Sequence, residues 1–282
     1  MISHRNLTLL GWLVLLTTIF PVVGCRKQDS HAGMPIIAPD NSLTSEQYIA
    51  QGVPAADRTW NPLDFESAVK ALSSLAAQNA SLLPRLGSSK SGQLFDGMAV
   101  TNNWGIVLNN TLPIDQRFPI LMGYTDGINK LLKIYSAPSY RGESFDAELV
   151  ELIKRELDLL PVTFLLAEEF LASVPADDPK KPVREEGLRK MVNGFTEMVD
   201  GALVCLTESK YFRASERIRL ANHLTVVMPS IFARLPRLTR MEMPGRIEKM
   251  AAVEQNAELK RALQALASVV QSISPDHIPA LK

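Results

Sequence analysis

Apolar side chains spaced three or four residues apart run through most of this chain, and that spacing is the period of an α-helix. Phe65, Val69, Leu72 and Leu75 make one such face. Ile120, Leu121, Tyr124, Ile128, Leu131, Leu132 and Tyr135 make a broader one over 118–135. In the next segment Phe145, Leu149, Leu152, Ile153 and Leu160 oppose a polar set of Asp146, Glu148, Glu151, Lys154, Arg155 and Asp158. The pattern returns at Leu188, Met191, Val192 and Phe195, and again at Ile218, Leu220, Leu224 and Val227. It closes on Leu259, Leu263, Leu266, Val270 and Ile273, a two-position heptad seam that needs a partner helix. No alternating β pattern of any length competes. The expectation is an all-α, antiparallel bundle of about eight or nine helices joined by short proline-containing links.

The boundaries are written in capping residues and prolines. Thr44-Ser45-Glu46-Gln47 is a capping box for a short helix, and Asn61-Pro62-Leu63-Asp64 is a stronger start. Ser144 is expected to cap the helix that follows it. Pro161 is expected to kink or end that helix, with VTFLLAEEFLASV as a second piece. DDPKKPVREEG reads as a link, so a subdomain boundary is expected near 175–183. Arg213-Ala214-Ser215-Glu216 opens a helix that Pro229 bends, Pro244 starts another, and the last runs from Asn256. Residues 91–112, with Leu94, Phe95 and Met98 but also paired asparagines, read as helix with a break near Gly105, a short strand pair being the alternative.

The first 24 residues differ from all of this. Arg5 precedes an apolar run from Leu7 to Phe20, shorter than the ~20 residues that span a bilayer. Val22-Val23-Gly24-Cys25 follows. An ordinary signal peptide and an uncleaved N-terminal anchor are the alternatives for such a leader. The four residues resemble the lipobox of bacterial lipoproteins, position by position, and the resemblance is confined to this leader. It implies cleavage before Cys25, a diacylglyceryl group on its thiol and acylation of the new amino terminus. It further implies an envelope location. Arg26 in place of Asp permits sorting to the outer membrane, facing the periplasm, in a Gram-negative host. Each buried CH₂ contributes roughly 0.8 kcal/mol and one chain holds only marginally, so two or three chains anchor durably. Residues 25–43 then form a lipidated tether. Eighteen flexible residues reach roughly 23 Å on average. Residues 44–282 form the helical body.

Composition fits a folded body, with 46% apolar and 21% charged residues. Charge is unevenly distributed. From Lys210 onward there are 12 Lys+Arg against 6 Asp+Glu, whereas 26–209 carries 17 against 24. Either the two parts neutralise each other in the fold, or Arg213, Arg217, Arg219, Arg234, Arg237 and Arg240 form a basic surface for anionic lipid or an acidic partner. Nucleic acid is excluded as a partner outside the cytoplasm.

Catalytic and metal-binding patterns are scarce. The sequence contains no HExxH, CxxC, EF-hand, GxSxG or phosphate-cradling loop, so no metal and no cofactor is expected. Cys205, between Val204 and Leu206, reads as a buried, inert thiol. Glu168 and Glu169, adjacent in an apolar helix, and the mid-helix His223 are the weak candidates for a ligand or metal site. The expected role is therefore binding, as a scaffold, adaptor or accessory protein whose partner is an envelope protein. An enzyme with carboxylates dispersed between helices, or a carrier of an apolar ligand, is the alternative.

Overall fold

The computed structural model describes residues 52–53, 60–87, 95, 107–137, 144–208 and 212–273. These residues form seven α-helices: α1 (Pro62–Gln78), α2 (Ile114–Ser136), α3 (Asp146–Ala172), α4 (Lys181–Thr207), α5 (Ala214–Ile231), α6 (Arg237–Val253) and α7 (Ala257–Ser272). Short 3₁₀ turns follow α1 and α5 at Ala80–Leu82 and Phe232–Arg234. The all-α expectation holds, and among the described residues there are seven helices rather than eight or nine. The segment around Thr44 lies outside the described residues. So does most of 91–112, of which Phe95 is buried and 107–112 is turn rather than helix.

Helix α1 starts where the sequence places it. Asn61 Oδ1 accepts from Leu63 N at 2.8 Å and Asp64 N at 3.2 Å, while Asp64 Oδ2 accepts from Asn61 N at 2.8 Å. Its apolar face meets α2 through Trp60, Phe65 and Tyr124, whose rings pack edge to face at 5.3 Å between successive centroids. The approach is close enough to require glycine. A Cβ at Gly127 would stand 2.8 Å from Phe65 Cβ. Two buried phenols tie the same layer to irregular backbone, Tyr124 Oη donating to Trp60 O at 2.8 Å and Tyr135 Oη to Pro84 O at 3.1 Å. Burial, with Asp64 nearby, raises the Tyr124 hydroxyl to about 12, so it remains a donor at neutral pH.

Helix α3 differs most from expectation. It runs unbroken through Pro161 for 27 residues, absorbing the piece expected to be separate. Interior proline costs about 3 kcal/mol through the lost hydrogen bond and the ring clash. The offsetting term is burial on both sides. Leu152, Leu159 and Leu166 recur every seven residues into a core shared with α1 and α2. Val150, Leu157, Leu160, Phe164 and Ala167 face a second core built with α4, α5, α6 and α7. Each buried Leu or Phe contributes about 1.5–3 kcal/mol, so several outweigh one proline. Its first residue is also displaced from expectation. Phe145 occupies the N-cap without a side-chain hydrogen bond, and Ser144 Oγ donates instead to Asp146 Oδ1 at 2.6 Å.

The C-terminal half corrects a further boundary. Pro244 lies inside α6, which begins at Arg237 and packs through Met243, Ile247 and Ala251. Pro229 likewise lies inside α5. The tight turn after α6 is closed by Asn256, whose Oδ1 accepts from Glu258 N and Leu259 N at 3.1 and 3.0 Å. The expected seam of α7 is buried at Leu259, Leu263, Leu266 and Val270.

Adjacent leucines on α3 test the two-sided burial. Leu166 is fully buried and Leu165 is 49% exposed. In urea unfolding, Leu166→Ala is expected to lower stability by about 2–5 kcal/mol, and Leu165→Ala by no more than about 0.5 kcal/mol.

Candidate functional site

The acidic side of α3 and the basic side of α5 meet along their lengths. Asp146 pairs with Arg213 at 3.5 Å, Glu151 with Arg219 at 3.0 Å, Asp158 with His223 at 2.9 Å and Glu168 with Arg234 at 3.4 Å. Each partner stands 65 to 68 positions later in the chain, a near-constant offset. Two helices joined that way run parallel, even though their chain neighbours form antiparallel hairpins. On α3, Glu148 and Glu151 are therefore buried rather than set on a solvated face. Glu148 Oε1 accepts from Leu86 N at 2.6 Å. Glu151 is the node of the charge ladder, also taking Lys154 at 2.8 Å and the Arg155 guanidinium. Burial alone would push its carboxyl up, but the Lys154 and Arg155 cations more than offset that and hold it below the usual carboxylate range.

This arrangement separates the residues singled out from sequence. Glu169 is 45% exposed and pairs with the buried Arg117, whose Nε also donates to Leu112 O at 2.9 Å and whose Nη1 donates to Val107 O at 3.3 Å. That contact closes the turn before α2. Glu168 leaves the helix on another side, toward Arg234 in the 3₁₀ turn that follows α5. His223 sits about three turns away, with Nε2 2.9 Å from Asp158 Oδ1 and 3.2 Å from Lys154 O. Glu168, Glu169 and His223 thus occupy three places and hold three different partners. Among the described residues no group of three His, Cys, Asp or Glu side chains is placed to hold a metal ion. Cys25 lies outside the described residues. Cys205 is buried in the α4–α5 core, and burial, with Glu208 nearby, raises its thiol to about 12, which keeps it protonated.

The arginines divide in the same way. Arg217 is buried, with Nε donating to Leu206 O at 2.7 Å and Nη2 to Glu254 Oε2 at 2.7 Å. Burial would raise the Glu254 carboxyl. The Asn256 N–H and the Arg217 guanidinium outweigh that and hold it below the usual range. Arg213 is 68% exposed but takes Asp146, and Arg234 takes Glu168. Arg237 is exposed at the start of α6. Of the expected basic surface, Arg217 is core, Arg213, Arg219 and Arg234 are spent on α3, and Arg237 stands exposed outside this ladder.

One buried acid stands apart from these pairs. Glu156, on α3, is 4% exposed, and its Oε1 has no hydrogen-bond partner. Burial alone raises its carboxyl to about 8. The sequence does carry a signal for it. Glu156 falls seven residues after Leu149 and four before Leu160, on the apolar stripe rather than the polar one.

Comparison with known families, with curated proteins and with solved structures finds no match.

Truncating Arg217 removes the guanidinium from Glu254 and leaves the Leu206 carbonyl without its Nε donor. Arg217→Ala is expected to cost about 1–3 kcal/mol, against at most about 1 kcal/mol for the exposed Arg213→Ala, both read from chemical unfolding at neutral pH.

Proposed function

We propose that this chain is a lipid-anchored protein of the bacterial cell envelope whose helical body acts by binding, as a scaffold, adaptor or accessory subunit. The observation that carries the reading is Cys25, set directly behind Val22-Val23-Gly24 and a short apolar leader. Its resemblance to a lipobox supplies the attachment. The tether over 25–43 leaves the body free to stand just off the bilayer, facing the periplasm where the host has an outer membrane.

Two features of the body support a binding role. No described helix is long and apolar enough to cross a membrane, so attachment in this reading falls to the acylated cysteine. Glu168 and Glu169 are each held by a separate arginine, and His223 stands 2.9 Å from Asp158, so these three side chains do not converge on one site. The fuller count of eight or nine helices belongs to the same proposal. The short helix opened at Thr44 and one around Leu94 and Met98 would complete it.

Radiolabelled palmitate is expected to enter the wild-type chain and to be lost with Cys25→Ala, and mass spectrometry of the wild-type product is expected to find Cys25 at the mature N-terminus. Label that survives the substitution, or a product that still begins at Met1, overturns the proposal.

A further inference from the structure

The two cores meet along α3, and the meeting line contains polar atoms. Leu149 and Ile153 of α3 and Phe118 of α2 pack against both cores. Among the described residues two buried side-chain acceptors lack a donor, Glu156 Oε1 on α3 and Asn129 Oδ1 on α2, the helices that carry this line. Both residues are more than nine-tenths buried, at 4% and 2% exposure. Asn129 Nδ2 donates to Thr125 O of its own helix at 3.0 Å, which leaves Oδ1 as the end of the amide still to be satisfied.

Helical periodicity sets the two on the sides by which α2 and α3 face each other. Near one end of the antiparallel α2–α3 pair Phe118 stacks on Phe170, with ring centroids 5.3 Å apart. Near the other end Tyr135 packs edge-on against Phe145, also at 5.3 Å. Asn129 follows Phe118 by eleven residues, close to three full turns, and so lies on the α2 face that carries that ring. Glu156 precedes Phe170 by fourteen residues, close to four turns, and shares its face of α3. Both residues lie between the two aromatic contacts.

Two acceptors cannot satisfy one another, and buried polar side chains left unpaired are rare in folded proteins. We propose that Asn129 and Glu156 form one proton-binding site, in which Glu156 is a neutral carboxylic acid whose O–H donates to Asn129 Oδ1 and latches the two cores together. Ionisation releases that proton to solvent. It leaves a carboxylate facing an amide oxygen in the interior, and the seam is then driven to open.

Other charges near the seam are engaged elsewhere. On α2, Arg117 holds Glu169 and Lys130 holds Asp126. On α3, Lys154 and Arg155 hold Glu151. On α5, Arg219 holds Glu151 and Glu216, and His223 holds Asp158. On α4 the buried titratable group is the protonated Cys205. Burial is accordingly the cause acting on Glu156, whose carboxyl stands at about 8. A folded pKa raised above the unfolded value means that the native state binds the extra proton. The stabilisation is full below the unfolded pKa of about 4.5 and is lost as pH rises through about 8.

Infrared spectroscopy of the full-length protein reads the proton directly. A protonated carboxyl C=O band is expected at pH 7, disappearing as pH passes about 8, absent in Glu156→Gln, and shifted to higher frequency in Asn129→Leu. Amide exchange in α2 and α3, corrected for its intrinsic pH dependence, is expected to accelerate above that pH in wild type and to stay level in Glu156→Gln, which keeps a donor and cannot ionise. A wild-type protein without the band at pH 7, a band unmoved by Asn129→Leu, or exchange that accelerates equally in both proteins overturns the proposal.

Discussion

Helix α3 has to satisfy two hydrophobic cores at once, and the rest of the fold is arranged around that demand. A helix that buries one stripe can end or bend where its sequence suggests. One that buries two stripes, leucines at every seventh residue on one side and Leu157, Leu160 and Phe164 on the other, must keep its rise and rotation constant over its whole length. Pro161 is carried inside this helix because a break would misalign both sets of knobs. The penalty of one proline is small against the apolar area on either side.

Electrostatics follows from the same placement. The chain segregates its charges, acidic before about residue 209 and basic after it. The fold brings the two populations together at α3 and α5, where pairs of nearly constant offset run along a parallel helix interface. Asp200 and Arg246, 2.6 Å apart, repeat the arrangement between α4 and α6. The exposed pairs contribute little to stability. Their value lies in register, since sliding α5 by one turn along α3 would set each cation opposite the wrong partner. The pair of buried Arg217 and half-buried Glu254 is different, because removing the carboxylate strands the guanidinium in the core.

The candidate chemistry is shaped by this network. Residues that look reactive as isolated letters are consumed by packing contacts, Glu168 and His223 along α3 and α5 and Glu169 by Arg117 of α2. The acid that remains unsatisfied, Glu156, sits where the two cores touch and where no cation reaches it. A carboxyl there is favoured in its neutral form, since desolvation acts against charge with nothing opposing it.

The all-α class, the Asn61 and Asn256 caps and the buried seam of α7 follow from local rules, because capping and a 3.6-residue period are properties of the helix itself. The seven-residue distance from Leu149 to Glu156 also put that acid on an apolar stripe, legible once the period is applied strictly. Local rules failed at Pro161 and Pro244, where they register the cost of proline but not the area that offsets it. They failed again on Glu148, Glu151 and Arg217, since a charged residue reads as solvated until its partner, dozens of positions away, is known. Periodicity within a helix is carried by the sequence. Which helices lie side by side, in what direction and at what register, is decided only when the whole chain packs, and that decides which charges are spent and which acid stays neutral.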